Sequence, residues 1–267
     1  MTETTLTLLL AGPLQSWGEA SRHMTRSTLA HPSKSGVLGM LAAALGRGRG
    51  EDLSDLAALR LAVRIDQPGQ LLTDYHTVSG ASQAPLLPGG QRLPTADGGS
   101  LRLGESTKVT RRYYLADARF VAAVEGDDKL LAQAWDALAH PRYPLYLGRR
   151  SCPPSRPVRL RLWPATPLTD VLTRTPWMAA EHITQRHRDP EVRLPVVVED
   201  EAGSETFNDQ PLTSPPFRRR YASRLARHTT MSVPAPGGGR DGRGERGSRD
   251  YDSDDPFDLL PGEQPCT

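Results

Sequence analysis

Several familiar features are scarce or missing in this sequence. There are two cysteines, Cys152 and Cys266, far apart in the chain, which offers neither a disulfide framework nor zinc-ligand spacing. Only three residues are Lys (Lys34, Lys108 and Lys129), so the other thirty basic residues are Arg. No apolar run approaches the ~20 residues of a membrane span. The start, Thr2-Glu3-Thr4 followed by a short strand-like run, has neither the basic opening nor the small-residue cleavage site of a signal peptide. The seven His include no His-Glu-x-x-His or other tight metal spacing. There is no Gly-x-Ser-x-Gly elbow, and no Gly-Lys-Ser/Thr phosphate loop. The expectation is a reduced, cytoplasmic protein with no metal or cofactor.

Gly and Pro, by contrast, number 24 each in 267 residues, so turns are many. The formal net charge of +2 conceals an asymmetry. From Ser232 to Thr267 four Arg face eight Asp or Glu, a balance of −4, which leaves +6 for the rest. An Arg-rich body suits phosphate and base contact, where a planar guanidinium is superior to an ammonium. A GC-rich genome would produce the same skew. The acidic segment 232–267 has almost no core residues and reads as a disordered tail.

Thr5–Leu10 alternates and then turns continuously apolar, the mark of a mostly buried strand. Gly12-Pro13 ends it. Ser33 or Ser35 can cap a helix from Lys34 to about Leu45, with Val37, Leu38, Leu41 and Leu45 on its apolar face. Gly36 and Gly39 weaken that helix by roughly 1 kcal/mol each relative to Ala, which suggests close packing against them. A short helix or turn at Leu53–Leu59, a strand at Leu61–Asp66 and an extended stretch at Leu71–Val78 follow. Ala81–Gly104 is rich in Gly and Pro. Tyr113–Val124 alternates as one strand, Asp127 or Asp128 caps a helix to about Ala139, and Leu145–Leu147 reads as a short strand. The order β-α-β, insertion, β-α-β predicts an α+β, ferredoxin-like (RNA-recognition-like) domain over 1–153. A hairpin insertion would span about 77–112. A smaller, irregular, β-rich region over 154–231 would carry strands at Val158–Trp163 and Leu194–Glu199.

The connection between the first strand and the first helix is unusually long, since about 2–6 residues usually suffice. It holds Trp17, Arg22, Arg26, His23, His31 and Lys34 among several Ser and Thr. Ser33-Lys34-Ser35 at a helix start could hold a phosphate, because free N–H groups and the helix dipole favour an anion there. An ordinary capped helix with an exposed Lys has the same sequence. Tyr143–Pro153 joins Tyr146, Arg149 and Arg150 in a Gly-containing loop. Lys108, Arg111, Arg112, Tyr113 and Tyr114 close the insertion. Aromatics interleaved with basic residues suit single-stranded nucleic acid, although an edge strand with solvated Arg reads the same way. Asp74-Tyr75-His76 offers one possible acid or base.

Five blocks in order carry a resemblance: Ala11–Gly18, Pro32–Gly36, Asp74–Val78, Arg112–Phe120 and Tyr146–Pro153. Together they resemble the CasD family of type I-E Cascade subunits, within the repeat-associated RNA-binding superfamily of CRISPR proteins. The resemblance covers roughly Leu6–Pro153. It implies a ferredoxin-like domain with an inserted hairpin thumb. It also implies a non-enzymatic subunit that caps the complex, holds the 5′ handle of the guide crRNA and supports antiviral DNA targeting. The implied partners are the backbone subunit CasC and the large subunit CasA, with target DNA met only through the complex. Gln15 and Trp17 would reach bases, Arg26 would reach phosphate, and Ser33, Lys34 and Ser35 would hold phosphate at the helix start. Tyr75, His76, Lys108, Arg111, Arg112, Tyr146, Arg149 and Arg150 complete the expected RNA contacts. A metal-independent endoribonuclease using His76 or Tyr75 is the alternative, and a nucleotide-binding enzyme using the Lys34 helix start is a third reading.

Overall fold

The computed structural model describes residues 3–18, 25–48, 50–78, 108–213 and 220–236. In chain order the elements are β1 (Thr4–Ala11), β2 (Leu14–Gln15), β3 (Thr25–Arg26), α1 (Lys34–Ala44), α2 (Ser54–Ala57), β4 (Arg60–Gln67), β5 (Gln70–Val78), β6 (Lys108–Ala116), β7 (Arg119–Gly126), α3 (Asp128–Ala139), β8 (Arg159–Trp163), α4 (Leu168–Arg174), α5 (Glu181–Thr184), β9 (Glu191–Glu199), β10 (Glu205–Thr213) and β11 (Arg220–Pro234). They make a mixed α/β protein dominated by sheet.

Seven strands form one sheet in the order β10-β11-β9-β4-β7-β1-β8, with every neighbouring pair antiparallel. All eight residues of β1 are buried, because both its faces are covered. Leu6, Leu8 and Leu10 meet Val37, Leu38 and Leu41 of α1 and Leu131 of α3 in the main core. Each fully buried Leu there stabilises the fold by about 1.5–3 kcal/mol. On the other face Ala62, Val121 and Ala123 pack against Leu168, Val171 and Leu172 of α4. Thr5 and Thr7 tolerate burial because both hydroxyls are bonded: Thr5 donates to the Thr166 carbonyl at 2.6 Å, and Thr7 donates to the Arg161 carbonyl at 3.0 Å.

A buried ion pair fastens this second layer. Arg64 on β4 is fully buried and donates to both carboxylate oxygens of Asp66, at 2.7 and 2.8 Å. The same guanidinium donates to the carbonyls of Leu172, Thr175 and Pro176, tying the end of α4 to the sheet. Burial pushes the Asp66 carboxyl above its ordinary pKa, and the Arg64 bonds oppose that rise.

The helix starts follow the expected chemistry. Ser33 caps α1 by accepting from the Gly36 N–H at 3.3 Å, and Asp127 caps α3 by accepting from the Leu130 N–H at 2.8 Å. Gly36 is needed for contact, since a Cβ there would lie 2.8 Å from the Trp17 ring, whereas Gly39 faces open space. The close packing expected at both glycines therefore holds only at Gly36.

Four expectations need correction. Leu145–Leu147 is irregular, and β8 is the strand that pairs with β1 after α3. The boundary at Pro153 cuts through one sheet: β8 pairs with β1 and β9 pairs with β4, so 154–231 extends the same sheet. Tyr113–Val124 is two strands, because Asp117 has φ of +53° and turns the chain from β6 into β7. The tail begins later than Ser232, because β11 runs to Pro234 and buries Val233. The remaining expected tail, 237–267, lies outside the described residues, as does most of the expected hairpin, 79–107.

Candidate nucleic-acid interface

A second, smaller sheet carries most of the expected contact residues. β6 is its centre: β5 pairs along it from Gln70↔Ala116 to Val78↔Lys108, β2 pairs antiparallel, and β3 pairs in parallel. Cross-strand partners share a face, and successive residues alternate faces. One face therefore gathers Arg26, Arg112, Asp74, His76, Thr110 and Tyr114. The opposite face gathers Arg111, Tyr75, Tyr113, Leu71 and Leu115. Tyr75 and Leu71 are well exposed, at 59% and 64%. Lys108 stands at the end of β6, opposite Val78.

The Gly148 loop lies against the first face. Ser16 donates its N–H to the Leu147 carbonyl at 3.1 Å, and Gly148 has φ of +84°. A Cβ on Gly148 would lie 1.9 Å from the Ser16 carbonyl oxygen, so no side chain is possible there. This turn delivers Arg149 onto Tyr114, with its guanidinium 4.8 Å from the ring centroid. Arg149 donates to the Arg26 carbonyl at 2.9 Å. Arg150 stands 6.0 Å from the Tyr146 ring.

Arg26 and Arg112 are direct neighbours in the β3–β6 ladder, and like charges placed so repel. Asp74 opposite Arg112 is engaged elsewhere, 2.7 Å from His76 Nδ1. Three side-chain atoms buried on this face find no hydrogen-bond partner among the described residues: Thr110 Oγ1, Arg112 Nε and Arg149 Nη1. Buried polar atoms in native proteins are nearly always bonded, so these three have capacity for a further partner. Two of the three are on guanidinium groups, which suits an anion.

The structure places other expected contact residues differently. Gln15 is fully buried, donating to the carbonyls of Leu10 at 2.9 Å and Ala118 at 2.7 Å. Its Oε1 accepts from the Trp17 indole at 3.0 Å, and Trp17 is itself fully buried against α1. Neither side chain exposes surface to a base. Ser33 is spent as the helix cap, and Ser35 is half-buried beside it.

Lys34 is the main correction. Its side chain is 1% exposed, and Nζ donates to Glu199 Oε1 at 2.7 Å. The Lys34 backbone N–H donates to Asp209 Oδ2 at 2.6 Å. Asp209 is held in turn by Arg224, at 2.6 and 3.1 Å, and Arg224 lies over Phe207. Helix N-termini favour anions, and here the Asp209 carboxylate fills that role. Burial lowers the Lys34 pKa, opposed by the bond to Glu199. Glu199, Asp209 and Arg224 were not anticipated. They lie more than 160 residues from Lys34 in sequence, and no local pattern marks them.

Among the described residues no group of His, Cys, Asp or Glu is arranged to hold a metal ion, and no helix is long and apolar enough to cross a membrane. His187 is half-buried, with its ring 5.2 Å from that of Trp177.

Comparison with known proteins bears on this geometry. The family described as CRISPR-associated protein (Cas_Cas5) matches residues 5–227. The chain belongs to that family. The CasD subunit of the Cascade CRISPR system of Escherichia coli (strain K12) is 38% identical over 170 residues, which span 58% of this chain and 69% of the relative. A chain of a solved CRISPR RNA-guided surveillance complex superposes with a TM-score of 0.70 at 37% identity, covering 89% of this Cas5-family chain and 95% of its own. A solved Cas protein superposes with a TM-score of 0.61 at 36% identity, covering 86% and 95%. The match to residues 5–227 runs through β8–β10 and into β11, beyond the Leu6–Pro153 span of the sequence resemblance.

Proposed function

We propose that this chain is the RNA-binding subunit of a type I-E Cascade complex, capping the assembly and holding the 5′ handle of the guide crRNA without cutting it. The observation that carries the proposal is the set of buried atoms on Thr110, Arg112 and Arg149, beside Arg26, that have no hydrogen-bond partner among the described residues. A phosphate placed among them would accept from both guanidiniums and relieve the Arg26–Arg112 repulsion. Lys108, Arg111, Tyr75, Tyr146 and Arg150 would extend contact along the strand, the tyrosines by stacking on unpaired bases. β8-β1-β7-β4 with α1 and α3 is read as a ferredoxin-like unit, and β5–β6 as the base of its thumb. CasC and CasA are the proposed protein partners and the cytoplasm the proposed compartment.

The test is co-purification with a tagged backbone subunit, followed by sequencing of bound RNA. Enrichment of repeat-derived 5′ handles is expected. Absence of repeat RNA from an intact assembly would overturn the proposal.

The endoribonuclease reading has one specific observation behind it, the His76–Asp74 pair at 2.7 Å on the same face as Arg112. A carboxylate beside an imidazole is a common general-base arrangement. Incubation with repeat RNA in EDTA separates the two. Specific scission that is lost in His76→Ala would replace the binding role with catalysis.

A further inference from the structure

A cleft of about 200 Å³ opens on the far side of the main sheet from α1. Leu9, Trp177 and Met178 form its apolar wall, Arg119 and Arg156 its basic rim, and Pro236 its edge. Trp177 is 7% exposed and anchored, its indole donating to the Asp66 carbonyl at 2.9 Å. That bond ties the indole to the end of β4. An apolar cavity of roughly 150 Å³ accepts a benzene ring, so this cleft has room for one aromatic side chain.

The rim is electrostatically unfinished. Among the described residues neither Arg119 nor Arg156 forms an ion pair. Burial lowers the Arg119 pKa and the Arg156 charge lowers it further, with Asp117 opposing. Glu181 also lines the cleft and accepts from Gln185 at 2.8 Å, which leaves the lining with two Arg against one Glu. Two neighbouring guanidiniums beside an apolar wall suit a segment that alternates carboxylates with an aromatic ring.

The chain contains such a segment, and it leaves the described fold at the cleft itself. Pro236 is the last described residue and lies on the cleft's edge. Beyond it come 13 residues with four Arg and six Gly, then Asp250-Tyr251-Asp252-Ser253-Asp254-Asp255-Pro256-Phe257-Asp258-Leu259-Leu260, five Asp with no basic residue. The 20 residues between Pro236 and Phe257 could span up to about 65 Å if fully extended. That is ample for returning to a cleft at its own origin. Tethering at this length gives an effective concentration on the order of millimolar, so modest contacts suffice.

We propose that the acidic segment Asp250–Leu260 docks in this cleft of its own chain, with Phe257 against Trp177 and Met178 and with Asp255 and Asp258 facing Arg119 and Arg156.

The experiment uses the full chain. Cys152 is 1% exposed and burial pushes its thiol pKa up, so a maleimide spin label goes selectively to Cys266. Paramagnetic broadening of the Trp177 and Met178 amide signals, above that of the remaining surface, is expected. It should fall about fivefold when the five Asp of 250–258 become Asn, and similarly in Arg119→Ala/Arg156→Ala. It should also fall in 1 M salt, where the Debye length is about 3 Å. The Asn variant leaves the folded part untouched, so loss of broadening there cannot reflect misfolding. Broadening that is uniform, or unchanged by the Asn substitutions, would overturn the proposal. Broadening that grows with protein concentration would assign the cleft to a second copy's tail and overturn it equally.

Discussion

Replacing Lys34 separates two accounts of the α1 start. If Lys34 holds guide phosphate, Lys34→Met removes one counter-charge, and the log–log salt slope of single-strand binding falls by about 0.7. If its partner is Glu199, the loss appears in stability instead. Breaking a buried ion pair by removing one member costs about 3–5 kcal/mol, because the other charge is left uncompensated. Glu199 is 18% exposed and keeps a bond from the Leu61 N–H at 3.1 Å, so the expected cost is lower, about 2–3 kcal/mol. For a fold of this size each kcal/mol moves Tm by about 2–4 °C, which gives a drop of roughly 4–12 °C. The assay is thermal unfolding of Lys34→Met, Glu199→Gln and the double variant, with the salt dependence of RNA binding measured for each. A coupling of about 2 kcal/mol between the two sites is expected, with the salt slope at its wild-type value. A Tm within about 2 °C of wild type together with a reduced slope would refute the buried-pair reasoning and restore Lys34 to the RNA site.

Further outcomes follow from the same geometry. Arg112→Ala and Arg149→Ala should each weaken repeat-RNA binding and lower the salt slope by about 0.7, with Tm nearly unchanged; unaltered filter-binding curves would remove them from the interface. Gly148→Ala should destabilise by more than about 2 kcal/mol, since its Cβ meets the Ser16 carbonyl at φ +84°, as read by chemical denaturation. Asp66→Ala should cost about 3–5 kcal/mol by stranding the buried Arg64 charge, and a midpoint equal to wild type would show that the pair is dispensable. His31 has its pKa lowered by burial, so below pH 6.5 the unfolded chain binds the proton more readily. Stability should therefore fall as pH drops from 6.5 through the folded-state pKa, and His31→Leu should show a shallower fall between pH 7 and 5.

What could be read from the sequence was what neighbours in the chain decide. The caps at Ser33 and Asp127 are visible because the capping hydroxyl or carboxylate bonds an N–H three residues on. β1, β4, β5 and β9 announce themselves by alternation or apolar runs. The basic–aromatic character of β6 and the Gly148 loop was legible for the same reason. Lys34 was not, because an exposed helix-start Lys and a buried one have the same local sequence, and its partner Glu199 lies 165 residues away. Gln15 and Trp17 share that limit: the Leu10 and Ala118 carbonyls, which satisfy the amide and so permit burial, are brought together only by the sheet. Asp117 illustrates the reverse case. Alternation continued across it, so a break made by one positive φ left no trace in the pattern.

The strand order has a consequence for how the chain is made. Thr5 on β1 pairs with Trp163 on β8, and Val63 on β4 pairs with Val197 on β9. These pairings are non-local, so folding is slow for a protein of this length. A ribosome adding about 5–20 residues per second leaves β1 waiting roughly 8–30 s for β8 to be synthesised. Until then β1 has an unpaired edge lined with Leu6, Leu8, Leu9 and Leu10, and the newborn N-terminal half is the stage at which aggregation competes with folding.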